Sequence, residues 1–389
     1  MSSAKRNASI DCIKGLACAA IVWHHLAFYG PMSDVAQPLL PDTIEWLSEY
    51  ARMAVQIFLV LGGYLAAASL APKALARFDS ASQQVGKRFV RLVVPYAVAL
   101  IVAVLLSDLV RSLMDHPSVP GEPSIPQLIA NAFLIQDIVG EEALSAGVWY
   151  VAIDFQLFVM AVLLFGAMRS FRFSDRVRAR VTQVLVAAGV CGSLLYANLH
   201  ADWDMWGIYF FGAYGLGMLA YWGSRSRHWA TWFVLIGVIG CAALWVEFRG
   251  RIALAMTSAL VLMLVMRPAR EDGTTHAQLL LGRLARPIEP ILEPLTSRLQ
   301  KLGQMSYSVF LIHFSICLLV NAVVSAWVPE VPVLHLLGMC VAFVLSVLAG
   351  RVLYLRVEQH VPTWLTALRW QLSLIGAGGG VLLAGQFIH

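Results

Sequence analysis

Charge is scarce in this 389-residue chain: 13% of its residues are Asp, Glu, Lys or Arg, against 59% hydrophobic. A soluble domain of this length does not bury so much apolar surface, so a polytopic membrane protein is expected instead. Mean hydropathy, at +0.72, agrees. The six cysteines (Cys12, Cys18, Cys191, Cys241, Cys317 and Cys340) all fall in apolar segments, and no CxxC occurs. That argues against a disulfide framework and a thiolate metal site. The ten histidines lack metal-ligand spacing, and no glycine-rich phosphate loop follows a strand, so neither a resident metal nor a bound nucleotide cofactor is expected. No internal repeat stands out. The first apolar stretch is too long for a signal-peptide core and has no small-residue cleavage site after it, so it reads as a retained span.

Long apolar runs are what the chain does have. They lie near 10–29, 50–71, 89–108, 146–168, 181–199, 205–223, 229–246, 252–266, 304–327 and 333–355, with an eleventh near 370–388. The expected fold is therefore an all-α, polytopic helix bundle of ten or eleven spans, forming a single transmembrane domain over residues 1–389. With the N-terminus placed in the cytoplasm, every Lys and Arg falls on the cytoplasmic side except Arg52, Arg111, Arg249 and Arg251. The opposite loops are acidic, with Asp34, Asp42, Glu45, Glu49, Asp115, Glu122, Asp137, Glu141, Glu142, Asp202 and Asp204. This asymmetry orients the protein with a cytoplasmic N-terminus. Within the cytoplasmic stretch 267–303, Pro287, Pro290 and Pro294 forbid one continuous helix.

Ionisable groups inside a membrane helix are costly and mark polar cavities. The first span carries a row of three on one side, Asp11, Lys14 and His25. Eleven helical steps of ~100° bring Lys14 and His25 to one face, ~16 Å apart along the axis at ~1.5 Å per residue. Asp11, three residues before Lys14, leans to the same side.

Four segments then become readable together. They are Asp11 and Lys14-Gly15 leading to His25; Gly62-Gly63-Tyr64-Leu65 in the second span, followed by Lys87-Arg88 and Arg91 to Pro95; Trp149 to Asp154 and Gln156 opening the fourth span; and Leu302-Gly303, Ser306-Tyr307 to His313 opening the ninth. In order and spacing these resemble the acyltransferase 3 family of membrane-bound O-acyltransferases, over roughly residues 9–360. Three positions depart from the family pattern: Asp154 stands for a Glu, one methylene shorter; Gly62 for a Ser; and Lys14 for an Arg, which keeps the charge but loses the bidentate fork.

The resemblance implies transfer of an acyl group, often acetyl, from cytoplasmic acyl-CoA to a hydroxyl of a cell-surface or periplasmic glycan. It further implies a stand-alone enzyme of a cell inner membrane, without a fused extracytoplasmic domain. Acyl-CoA enters as donor substrate; the partners are that donor, the acceptor and the lipid bilayer, with no nucleic acid. Acyl transfer needs a base for the hydroxyl, an orienting group for that base, and charge for the donor phosphates. His25 is the natural base, and Asp154, at comparable depth, is the expected group to fix its tautomer. A carboxylate acting alone on the acceptor stays open. Lys14, Arg88 and Arg91 would meet the CoA phosphates; Asp11, Tyr64, Trp149, Gln156 and His313 complete the expected substrate-binding set.

Blander readings stand beside these. Basic residues at a span end also snorkel, His24 is turned ~100° from His25 and suits packing, and His313 also suits a bond to a neighbouring carbonyl. Arg52 suits an acidic acceptor or lipid headgroups, Ser306 and Tyr307 an N-cap motif, and Glu358 and Arg351 a pair across helical turns. A transporter of a glycan or small metabolite is the alternative from another class, since carriers also line spans with charge; the related halves typical of such folds are not seen here.

Overall fold

The computed structural model describes residues 7–268 and 289–388. Lys5, Arg6, Arg270, Arg283, Arg286 and Pro287 lie outside the described residues. The chain is helical throughout, with no strand among the described residues. The first eight helices are α1 (Ala8–Phe28), α2 (Pro31–Ala36), α3 (Pro41–Glu49), α4 (Val55–Leu70), α5 (Ala81–Arg111), α6 (Ile125–Ala132), α7 (Gln136–Val139) and α8 (Trp149–Ser170). They are followed by α9 (Asp175–Leu195), α10 (Gly207–Ser224), α11 (Trp229–Val246), α12 (Gly250–Val265), α13 (Glu289–Gln304), α14 (Ser306–Trp327), α15 (Pro332–Leu353) and α16 (Trp364–Ile388). A π-helical turn, Tyr354–Glu358, extends α15.

Nine helices among the described residues are long and apolar enough to cross a membrane: α1, α4 with the turn before it, α5, α8, α9, α11, α14, α15 and α16. The expected eleventh run does form a helix, and it begins at Trp364. Two of the expected runs are not among these nine. The 252–266 run is the 16-residue α12, ~24 Å at ~1.5 Å per residue, short of the ~30 Å hydrocarbon layer. The 205–223 run is α10, whose residues are buried in protein apart from Ile208. A helix covered on all sides by other helices needs small and aromatic residues rather than lipid-facing aliphatics, and α10 is accordingly rich in Gly, Tyr and Phe.

The described residues form two compact units, interleaved along the chain. One comprises 7–17, 55–81 and 156–304. Here α10 is the centre, packed against α4, α9, α11 and α12. Gln156 clasps its start: Oε1 accepts from the Gly207 N–H at 2.7 Å and Nε2 donates to the Met205 carbonyl at 3.1 Å. At the other end of this unit's architecture the Trp222 indole donates to the Ala71 carbonyl at 2.9 Å. Pro290 and Pro294 both lie inside the single helix α13; Pro290 is at its second residue, where the missing N–H has no helical partner to lose, whereas Pro294, at the sixth, forgoes one backbone bond without ending the helix.

Arg249, counted above as one of four basic residues on the acidic side, is buried in this unit. Its Nη2 donates to the Leu194 carbonyl at 2.8 Å and its Nη1 to the carbonyl and Oδ1 of Asn198, at 3.1 and 2.5 Å. The guanidinium thus satisfies a carbonyl of the last turn of α9, where a cation is favoured. Arg249→Met keeps the length and removes its donors; the Leu194 carbonyl is left dry, while the Asn198 oxygens keep only the longer bonds from Arg251, at 3.4 and 3.5 Å, and the change should cost about 1–3 kcal/mol. The readout is a lowered thermal midpoint of the detergent-solubilised protein. A midpoint equal to that of the native chain would show that water replaces the guanidinium.

The second unit comprises Cys18–Ala54, Ser82–Phe155 and Met305–His389. Helices α14 and α15 pair along their length, with α2 against them. Asn321 ties α2 to α14: Oδ1 accepts from the Met32 N–H at 3.2 Å, while Nδ2 donates back to the Cys317 carbonyl at 3.1 Å. The short α6 starts with a complete capping box, Ser124 and Gln127, and Gln371 of α16 donates to the Ala132 carbonyl that closes it, at 2.6 Å. Helix α5 is 31 residues long, ~46 Å, so it exceeds the hydrocarbon layer and carries Lys87, Arg88 and Arg91 in its first three turns.

Candidate functional site

The second unit brings His25 of α1 and His313 of α14 together, 288 residues apart in sequence. Nδ1 of His25 lies 2.6 Å from Nε2 of His313, with ring centroids 4.7 Å apart and 16° between the planes. Both imidazoles are buried, His313 completely. The other nitrogen of His313, Nδ1, faces the Phe310 carbonyl at 2.8 Å and the Val309 carbonyl at 3.2 Å. A carbonyl only accepts, so Nδ1 of neutral His313 carries the proton and its Nε2 the lone pair. His25 must then donate through Nδ1, which leaves Nε2 of His25 unprotonated. The arrangement presets the tautomer a general base requires.

Aromatic rings wall this pair. Tyr29 and Phe314 stand edge-on to His25, with centroids at 5.3 and 5.8 Å. Gly147, in the loop before α8, has φ +85°, and a Cβ there would lie 3.3 Å from Cε1 of His25. A side chain at Gly147 would therefore press on the imidazole from a backbone conformation that L-residues avoid. Neighbouring His24 bonds the Leu47 carbonyl through Nδ1 at 3.1 Å, which ties α3 to α1; this is the packing role its ~100° offset suggests.

Asp154, expected to orient His25, does not hold that place. Its Oδ2 accepts from Nη2 of Arg88 at 2.5 Å, and its side chain is largely buried. Two things decide the pairing: the cation on α5 reaches the short carboxylate, and His25 takes its orienting bond from His313. A dry carboxylate left without its cation is strongly disfavoured, so Arg88 and Asp154 act as one element. Beside them, the Tyr307 hydroxyl donates to the Leu92 carbonyl at 3.0 Å.

The start of α14 also differs from expectation. Met305, not Ser306, is its N-cap, and no side-chain cap is made there. One orphan donor of this helix end is met by Glu358, whose Oε2 accepts from the Ser308 N–H at 3.2 Å and from the Ser308 hydroxyl at 2.6 Å. Glu358 therefore meets α14 rather than the expected Arg351, and the reason is electrostatic: a helix N-terminus attracts a carboxylate. The π-helical turn that carries Glu358 resets its direction from α15.

The remaining expected residues are placed as follows. Trp149 begins α8, with its ring edge-on to Tyr150 at 6.3 Å, and Arg91 is exposed on α5. In the first unit, Tyr64 is buried on α4, edge-on to Tyr221 at 5.1 Å, and its hydroxyl is 3.5 Å from Ser224 Oγ. Gln156 there holds α10, a structural use of the amide. Asp11 is buried and Lys14 half-buried on α1; backbone at Gly15 touches Leu299 of α13, and Gly303 touches Asp11. The glycines of the first and fourth motifs thus let α1 and α13 meet backbone to backbone. Sequence reasoning missed Gly147 and the bond of Glu358 to Ser308. A glycine two residues before Trp149 was the only signal for the first, and nothing local announced the second.

A family model described as an acyltransferase domain, that of acyltransferase 3, matches residues 7–351, nearly the whole chain. No curated protein and no solved structure matches the chain significantly.

Proposed function

Since the chain belongs to the acyltransferase 3 family and is a membrane acyltransferase, we propose that it moves an acyl group, in the first instance acetyl, from cytoplasmic acyl-CoA to a hydroxyl of a cell-surface or periplasmic glycan. The observation that carries the assignment of roles is the bond from His25 to His313. Nε2 of His25 takes the proton of the acceptor hydroxyl as its oxygen attacks the thioester carbonyl. The tetrahedral intermediate collapses, the C–S bond breaks, and the imidazolium returns the proton to the departing CoA thiolate. His313 holds the ring and disperses its charge toward the Phe310 carbonyl. Arg88, neutralised in part by Asp154, and Arg91 supply positive charge for the donor phosphates; Lys14 is assigned the same kind of role from its place in the sequence pattern. The charge asymmetry of the loops supports a cytoplasmic N-terminus and a cell inner membrane.

The test is mass spectrometry of envelope glycans from cells with the gene, without it, and with His25→Ala at matched membrane levels. A mass increment of one acyl group confined to the native protein is the expected result, and it would identify group and acceptor together. Identical glycans in all three would overturn the glycan acceptor and direct the search to small hydroxyl compounds.

A further inference from the structure

The acyl-transfer chemistry leaves one requirement without a residue. When the acceptor oxygen attacks the thioester, the carbonyl oxygen takes up negative charge, and transfer is fastest where hydrogen-bond donors wait for that charge in a dry site. Neither resting imidazole can serve. Nδ1 of His313 is spent on the Phe310 and Val309 carbonyls, and Nδ1 of His25 donates to His313. The second unit does hold a hydroxyl that is unspent. Ser145 is 2% exposed, and its Oγ is buried without a hydrogen-bond partner. Buried hydroxyls in native proteins are almost always bonded, so the exception calls for an explanation.

Its place in the fold supplies one. Ser145 opens a β-turn, closed where the Val148 N–H donates to the Ser145 carbonyl at 3.4 Å. Gly147 takes the third position with φ +85°, a conformation that favours glycine there. Just before the turn, the Leu144 N–H donates to Asn131 Oδ1 at 3.2 Å, so the segment is fixed at both ends. It lies against the reacting centre: a Cβ on Gly147 would be 3.3 Å from Cε1 of His25 and 3.5 Å from Cζ of Phe310. Cε1 is bonded to Nε2, the nitrogen that takes the proton, and Ser145 is two residues from Gly147, at most ~7 Å of chain. The N–H groups of Ala146 and Gly147 also make no hydrogen bond among the described residues. The turn runs into the N-terminal end of α8, where negative charge is favoured. Tyr29, the other hydroxyl-bearing side chain beside His25, is only half-buried. A nucleophilic serine would rest on the base, and Ser145 makes no bond to His25. We propose that the Ser145 hydroxyl is a catalytic oxyanion donor. It donates to the thioester carbonyl oxygen as the C=O electrons move onto that atom, and it keeps its own proton throughout. The bond is given up when the carbonyl re-forms and the C–S bond breaks. The inference rests on His25 as the base.

The experiment uses the full-length protein in native membranes at matched levels, with radiolabelled acetyl-CoA as donor and the acceptors those membranes carry. Ser145→Ala should lower kcat about a hundredfold, the usual worth of one oxyanion-hole donor. The KM for acetyl-CoA should stay within twofold of native, because the bond forms only in the transition state. Ser145→Thr, which keeps a hydroxyl, should recover part of the loss. The hydroxyl has no partner to lose in the resting protein, so Ser145→Ala should leave the thermal midpoint of the detergent-solubilised protein unchanged or higher. A lowered midpoint accompanying the lost activity would make the hydroxyl structural and overturn the donor. Native kcat in Ser145→Ala beside an inactive His25→Ala would overturn the donor and leave the base standing. Radiolabel held covalently by the acid-quenched native chain, but not by Ser145→Ala, would make the serine a nucleophile instead. Native transfer by His25→Ala would remove the base, and the donor assignment with it.

Discussion

His25→Ala is expected to lower acyl transfer by about two to four orders of magnitude, the usual worth of a positioned general base. His313→Phe keeps a planar ring of similar size but removes the acceptor for the His25 Nδ1 proton. The imidazole of His25 is then free to rotate and to place its proton on Nε2, where no base is left. A misplacement of that kind costs on the order of a hundredfold. His313→Gln, which offers an amide oxygen in place of Nε2, should recover part of the loss. Because His313 acts only through His25, the double variant His25→Ala with His313→Phe should be no slower than His25→Ala alone. The measurement is the turnover of radiolabelled acetyl-CoA in membranes with matched protein levels. Additive losses would show that His313 acts on substrate directly, and equal activity of His313→Phe and native protein would dismiss the relay.

The second large effect falls on the fold. At Gly63 of α4 the backbone abuts the Tyr214 carbonyl of α10, and at Gly217 of α10 it abuts the Val60 carbonyl of α4. Each contact pairs a glycine with a carbonyl three residues before the partner glycine, so the crossing is reciprocal. Such approach allows Cα–H to carbonyl contacts and tight packing, which drive association of helices in lipid. A Cβ at either position meets backbone that no rotamer change can move, so the helices must separate. Gly63→Ala or Gly217→Ala should cost about 1–3 kcal/mol, and Gly63→Leu more. Since α10 is the centre of its unit, the larger substitution should abolish accumulation of folded protein. Size-exclusion profiles of detergent extracts and thermal midpoints report it. A native profile for Gly63→Leu would mean the α4 and α10 contact is dispensable.

These two predictions differ in how far the sequence foretold them. The candidate helix of the site was legible because its signal is local: Asp11, Lys14 and His25 stand out as ionisable residues in an apolar run, and the 3.6-residue period puts them on one face. The helical bundle was legible for the same reason, since runs of apolar residues of bilayer length admit few alternatives to helices. One of the expected runs is nonetheless unlike its neighbours in what surrounds it. The run that became α10 is apolar like its neighbours, but its glycines and tyrosines serve contact with protein, a distinction that hydropathy does not make.

Partner choice was not legible. Asp154 was assigned to His25 from depth alone, yet it bonds Arg88, and Glu358 was assigned to Arg351 along its own helix, yet it serves Ser308. Depth along a helix axis follows from residue count, whereas rotation about the axis and the crossing angle follow from packing that involves the whole unit. The amino-acid sequence by itself determined that this is an all-helical membrane protein with a histidine poised in its first span. Only the tertiary structure decided which residue holds that histidine, because a hydrogen bond of 2.6 Å across 288 residues depends on how two helices are turned toward each other, and no local pattern encodes that.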